Sequence, residues 1–196
     1  MSGDGPTLDI PRLEEEYAND IARLNRMTNN IFSLNVAEYA FDRLSALPPT
    51  PNSMEFMLEV EALTTGLVTS YARLFTSSDG SIKLKDDIVP GHLRPVHDEM
   101  MDFRNRRYAH HGAHPSITTS TTLSAEGQEI VLDQQMSFEF RVGVAAHWGP
   151  LIAWLREYLH DRIQSELQYL SSKSGFVWRM RQGPPPSWII EASRDA

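Results

Sequence analysis

Residues 144–171 read VAAHWGPLIAWLREYLHDRIQSELQYLS, and this stretch decides the fold class. Trp148, Leu151, Leu155, Leu159, Ile163, Leu167 and Leu170 recur at intervals of three and four, which places them on one stripe of a helix. A stripe of that length has to be buried against other helices. Pro150, directly after Gly149, predicts a kink or a restart near the beginning of the segment.

The same period runs upstream. Leu13, Tyr17, Ile21, Leu24, Met27, Ile31, Leu34 and Tyr39 predict one long helix from Pro11 to about residue 47, or two with a break near Asn29 and Asn30. Pro48, Pro49 and Pro51 end it. Ser53 is placed to cap a second helix, whose face is Phe56, Val60, Leu63, Leu67, Tyr71 and Leu74. The segment 76–92, TSSDGSIKLKDDIVPGH, reads as a long surface loop. A third helix follows over about 93–109, with Leu93, Val96, Met100, Phe103 and Arg107 along one side and Gly112 and Pro115 beyond its end.

Between residues 117 and 142 the period changes to two. Ile117, Thr119, Thr121 and Leu123 alternate, residues 125–128 offer a turn, and Ile130, Leu132, Met136, Phe138 and Phe140 alternate again. The chain therefore reads as mainly α, an up-and-down helical bundle with a small antiparallel β-ribbon of two or three strands inserted before the last long helix. Residues 1–10 form a flexible arm, residues 11–173 a single bundle domain with the insert at about 117–142, and residues 174–196 an extended tail. That tail carries Phe176, Trp178, Trp188, Ile189 and Ile190, which are expected to pack on the body or on another subunit.

The chain has 196 residues, a formal charge of -8 and no cysteine. Disulfides, thiolate zinc sites and cysteine nucleophiles are thereby excluded, and the absence of cysteine fits a reducing cytoplasm. The opening MSGDGPTLDIPRLEEEY is acidic and lacks the apolar centre of a signal peptide, and no apolar run reaches membrane-spanning length. A cytoplasmic protein is expected, with no membrane partner. An acidic molecule offers no general nucleic-acid surface, so any contact with RNA must be local.

One segment has the means for such a contact. Residues 102–114, DFRNRRYAHHGAH, bring together Arg104, Arg106, Arg107, His110, His111 and His114. Arginine stabilises phosphate charge as a planar fork, and histidine exchanges protons near neutral pH. On a continuous helix Arg104 shares a face with His111, because residues seven apart nearly eclipse while residues six apart differ by roughly 120°. His110 joins Arg104 only if the helix ends near Ala109, or if a second subunit supplies one of them.

Other readings of these residues stand beside this one. The segment also reads as a solvated helix end, with Arg104 paired to Asp98, Glu99 or Asp102 and the basic residues favoured by the helix dipole. His110, His111, His114, His97 and Asp98 could in principle hold a divalent ion, but no HExxH and no second carboxylate–histidine pair accompanies them, so no metal and no cofactor is expected. Arg73 reads either as a second phosphate ligand or as a salt-bridge partner. His92 and His160 read as surface or cap residues, and His147 as a structural residue that could face the cluster.

The stretch LRPVHDEMMDFRNRRYAHH, residues 93–111, resembles the arginine-to-histidine signature of HEPN-domain proteins, and SYARLF at residues 70–75 is similar to an element of their uncharacterised bacterial relatives. The resemblance implies a small helical bundle, usually dimeric, that handles RNA or nucleotides. Carried onto this chain, Arg104 is the motif arginine, Asn105 the polar residue after it and His110 the motif histidine. Five residues separate Arg104 from His110 and four separate Arg106 from His111, so His111 competes for the role.

The activity so implied is metal-independent RNA cleavage at a dimer cleft. Histidine takes the 2′-hydroxyl proton, arginine stabilises the phosphorane-like charge, and a 2′,3′-cyclic phosphate results. Asn105, Arg106, Arg107, Tyr108 and Arg73 would line the substrate, and a protein antitoxin is an expected partner in a defence setting. The alternative within the same resemblance is a non-catalytic helical module that binds nucleotide, RNA or a protein.

Overall fold

The computed structural model describes residues 9–47, 53–77, 80–108, 117–126, 129–138 and 145–181. The chain is mainly helical, with one two-stranded antiparallel ribbon before the last long helix. A short helix α1 (Ile10–Glu16) precedes α2 (Ala18–Ala46) and α3 (Met54–Arg73). Next come a 3-10 turn (Asp86–Ile88) and α4 (Arg94–Phe103), which continues into a π-helical turn (Arg104–Tyr108). Strands β1 (Ile117–Glu126) and β2 (Glu129–Phe138) lead to α5 (Ala145–Ser174).

Local chemistry sets the ends. Asp9 accepts from the Arg12 amide at 3.2 Å with Pro11 in the first turn of α1, and the Ser53 hydroxyl accepts from the Phe56 amide at 3.2 Å at the start of α3. The break in the first helical stretch falls at Tyr17, not near Asn29 and Asn30. Those two asparagines instead face the connection after α3. Asn29 donates to the Gly80 carbonyl at 2.6 Å, while buried Asn30 donates to the Ile82 carbonyl at 2.8 Å and accepts from the Ile82 amide at 3.2 Å. An asparagine with both amide groups satisfied by a neighbouring strand of backbone has no reason to leave the helix.

Pro150 neither ends nor restarts α5, which runs through it. It stands in the second turn, where the lost N–H removes one hydrogen bond near a helix end. Gly149 before it has a packing role. A Cβ there would meet the Phe41 ring at 3.1 Å, so the glycine lets α5 begin close against α2.

Cross-contacts fix the directions of the helices. Arg23 pairs with Glu166, Arg156 with Glu38 at 2.5 Å, and Phe41 lies at Gly149, so α2 and α5 are antiparallel. Glu61 pairs with Arg107 and Tyr71 with His97, so α3 and the α4 segment are antiparallel as well. The core between them holds Leu34, Leu67, Tyr71, Met100, Trp148, Leu151, Leu155 and Leu159. The connection after α3 adds Leu84, Val89 and Leu93, and the Leu84 amide donates to the Leu74 carbonyl at 2.7 Å.

A smaller cluster of Met27, Ile163 and Leu167 receives Trp178. The Trp178 indole meets Tyr17 edge-on at 5.6 Å and donates to the Ser174 hydroxyl at 2.8 Å. Trp188, Ile189 and Ile190 lie outside the described residues. Among the described residues the ribbon has two strands, with Leu123 opposite Leu132 and Ala125 opposite Ile130. Leu123, Ile130 and Leu132 are exposed, and among the described elements the ribbon packs on no helix. No helix among the described residues is long and apolar enough to cross a membrane.

His97, considered above as a metal ligand, is 2% exposed in the core and edge-on to Phe75 at 4.6 Å. Burial holds the Tyr71 phenol far above its usual range, so its hydroxyl keeps its proton and donates to His97 Nδ1 at 2.6 Å. Burial also lowers the His97 pKa, and Asp86, 3.8 Å from Nε2, only partly offsets this. The unfolded chain therefore takes up the proton more readily, from the ordinary value near 6.5 downward. The urea midpoint is expected to fall as pH drops from 7.5 to 5.5, and to fall less in His97→Gln. An equal fall in both proteins would show that the buried imidazole is not responsible.

Candidate functional site

The arginine-rich segment begins where α4 changes its winding. Through Phe103 the helix is α, with His97, Met100 and Phe103 buried. From Arg104 to Tyr108 it is π, with i→i+5 bonding that places more residues in each turn. The equivalence of Arg104 with His111 assumed an unbroken 3.6-residue period. That premise does not hold in this chain, because the π-helical turn intervenes. His110, His111 and His114 lie outside the described residues.

The turn has two sides. Arg107 points inward: its side chain is 5% exposed and its guanidinium pairs with Glu61 on α3. The neighbouring Tyr108 is also drawn in, with its hydroxyl enclosed and its ring 5.2 Å from the Arg107 guanidinium. Burial, reinforced by the Glu61 charge, raises the Tyr108 phenol well above its ordinary range, so it stays protonated at neutral pH. In a regular α-helix consecutive residues point about 100° apart. The wider turn lets both of these bulky side chains lie against α3.

Arg104, Asn105 and Arg106 occupy the outer side. Arg104 donates to the Asn105 side-chain oxygen at 2.8 Å, and Arg106 pairs with Asp102 at 2.6 Å with its side chain 65% exposed. The solvated-end reading paired Arg104 with Asp98, Glu99 or Asp102. Arg104 instead bonds Asn105, and Asp102 is taken by Arg106.

The structure separates the remaining residue of the set. Arg73 is exposed at the end of α3, twelve residues beyond Glu61, which is about 18 Å along the helix axis. It makes no ion pair with the described residues and, within one chain, is not brought to the π-helical turn. His92 and His160 are exposed, as read from the sequence. Among the described residues no three His, Cys, Asp or Glu side chains gather as ligands for a metal.

His147 is more closely placed than its sequence context indicated. At the start of α5 its Nε2 lies 2.6 Å from Glu99 Oε2, and the Trp148 indole reaches the same oxygen at 3.4 Å. Glu99, Asp102 and Arg106 follow one another at three and four along the α4 segment, so the histidine stands at the head of that row. The signal available in sequence was this spacing, together with the position of His147 beside a stripe tryptophan.

The two paired arginines should behave differently when truncated. Arg107→Ala leaves Glu61 without its nearly buried partner and is expected to lower stability by about 3 kcal/mol. Arg106→Ala removes a solvent-exposed pair and is expected to change it by less than about 0.5 kcal/mol. Urea unfolding of both variants checks this, and equal effects would contradict the inward–outward division. Compared with protein-family models, with curated protein sequences and with solved structures, the chain matches none.

Proposed function

We propose that the outer side of the π-helical turn is a phosphate-binding surface of a metal-independent endoribonuclease or RNA-processing protein. The observation that carries this reading is the division of five consecutive residues. Arg107 and Tyr108 fix the turn to α3, Asn105 and Arg106 are exposed to solvent, and half-buried Arg104 lies on the same outer side. A rigidly held backbone with outward guanidinium groups supplies fixed positive charge for a phosphodiester, which a mobile loop supplies less well. The resemblance to HEPN-domain proteins adds the proton carriers, His110 with His111 competing, and a homodimer in which two such turns meet across one RNA. A cytoplasmic setting with a protein antitoxin as partner belongs to the same reading.

In the reaction so proposed, a neutral histidine takes the proton of the ribose 2′-hydroxyl and the freed oxygen attacks the adjacent phosphorus. Arg104 neutralises the charge that grows on the non-bridging oxygens. The 5′-oxygen leaves with a proton from a second histidine, giving a 2′,3′-cyclic phosphate and a 5′-hydroxyl. One observation favours the second reading, a non-catalytic module that binds RNA, nucleotide or a protein: Arg106 is already paired with Asp102 and Arg107 with Glu61, which leaves less unneutralised charge than the sequence promised.

The readings separate in one assay. Full-length protein is incubated with structured RNA in EDTA, alongside Arg104→Ala and His110→Ala. Cleavage by the wild type, reduced about 100-fold or more in each variant, is expected for removal of a transition-state donor or of a proton carrier. Equal cleavage by all three, or none by the wild type, overturns the catalytic reading.

A further inference from the structure

We propose that His147, oriented by Glu99, is a proton-carrying residue of the same phosphate site, on the seam between α4 and α5. The inference rests on the RNA-cleavage reading above and adds to it a catalytic histidine, one supplied within a single chain.

Three observations converge on it. First, the imidazole is fixed. Its Nε2 is 2.6 Å from Glu99 Oε2, and a carboxylate only accepts, so a ring hydrogen sits on Nε2, and in the neutral imidazole the lone pair is then on Nδ1. Nδ1 makes no hydrogen bond among the described residues, and the side chain is 46% exposed. A histidine with one nitrogen held by a carboxylate and the other open to solvent is the arrangement a general base requires.

Second, the carboxylate is itself held. Glu99 Oε2 also receives the Trp148 indole N–H at 3.4 Å, and Trp148 is buried, meeting Phe103 of α4 edge-on at 6.0 Å. The dyad therefore stands on two packed helices and not on a loop. A flexible surface ion pair would lack that backing.

Third, a cation is held one helical turn along the same row. Arg106 folds back to Asp102 at 2.6 Å, and Asp102 stands three residues from Glu99 on the same helix. Side chains at that spacing are about 5–6 Å apart at their Cβ atoms. In this proposal a phosphate that takes the Arg106 guanidinium in place of Asp102 comes within reach of the His147 ring.

The step balances within this set. The 2′-hydroxyl proton passes to His147 Nδ1, the 2′-oxygen to phosphorus bond forms, and the phosphorus to 5′-oxygen bond breaks. The leaving oxygen takes its proton from water or from a second histidine, and the imidazolium later returns its proton to solvent. His147 is the catalytic residue in this scheme. Glu99 is a positioning residue that acts through it.

The test uses the full chain and two readouts. Uridine 3′-monophosphate is added to wild type while the His147 ring resonances are followed, and RNA cleavage in EDTA is measured for wild type, His147→Gln and Glu99→Gln. Expected are a saturable shift of the His147 resonances that weakens about tenfold in Arg106→Ala, and a loss of cleavage of 100-fold or more in His147→Gln. Glu99→Gln should lower kcat about tenfold and leave KM within twofold, a split that a merely structural contact would not produce. Circular dichroism of each variant identifies any that fails to fold, and His147→Asn then replaces it. Cleavage by His147→Gln at the wild-type rate, or resonances unmoved by the nucleotide, overturns this inference alone. No cleavage by the wild type overturns it together with the reading on which it rests.

Discussion

Arg107 reaches Glu61 across the interface of α3 with a guanidinium almost wholly withdrawn from water, and the course of the chain after Phe103 follows from that contact. A charge so placed is tolerated only with its partner, since an uncompensated one costs several kcal/mol. The pair therefore fixes which side of the segment faces α3. With Tyr108 drawn in beside it, the wider π winding is the way two consecutive large side chains reach the same neighbour. Arg104, Asn105 and Arg106 face outward as a consequence.

Much of the bundle was legible in the amino-acid order. All seven stripe residues of the last helix, from Trp148 to Leu170, are buried, because a 3.6-residue apolar period has no other stable outcome in a chain of this size. The ribbon was legible for the same reason, as a change of period from near four to two. The Ser53 cap needed only a hydroxyl three residues before a free amide.

What was not legible depends on partners far away in sequence. The continuity at Asn30 is supported by a connection 52 residues on, which no local propensity records. The partner of Arg107 in the π-helical turn is Glu61, 46 residues earlier, and a shift from i→i+4 to i→i+5 bonding leaves no mark in composition. His147 and Glu99, 48 residues apart, form their pair only once α4 and α5 have packed. The arginine cluster was thus visible in sequence, whereas its division into anchors and presented groups was not.

The dependence of the presented arginines on the Glu61 contact is open to a direct measurement: amide hydrogen exchange of the wild type and Glu61→Gln, compared residue by residue. If the pair holds the turn, exchange at residues 104–108 accelerates by about tenfold or more in the variant, while the amides of α3 and α5 keep their protection, the pattern of a local opening. Unchanged protection at residues 104–108, with Arg107 deprived of its carboxylate, would contradict the account.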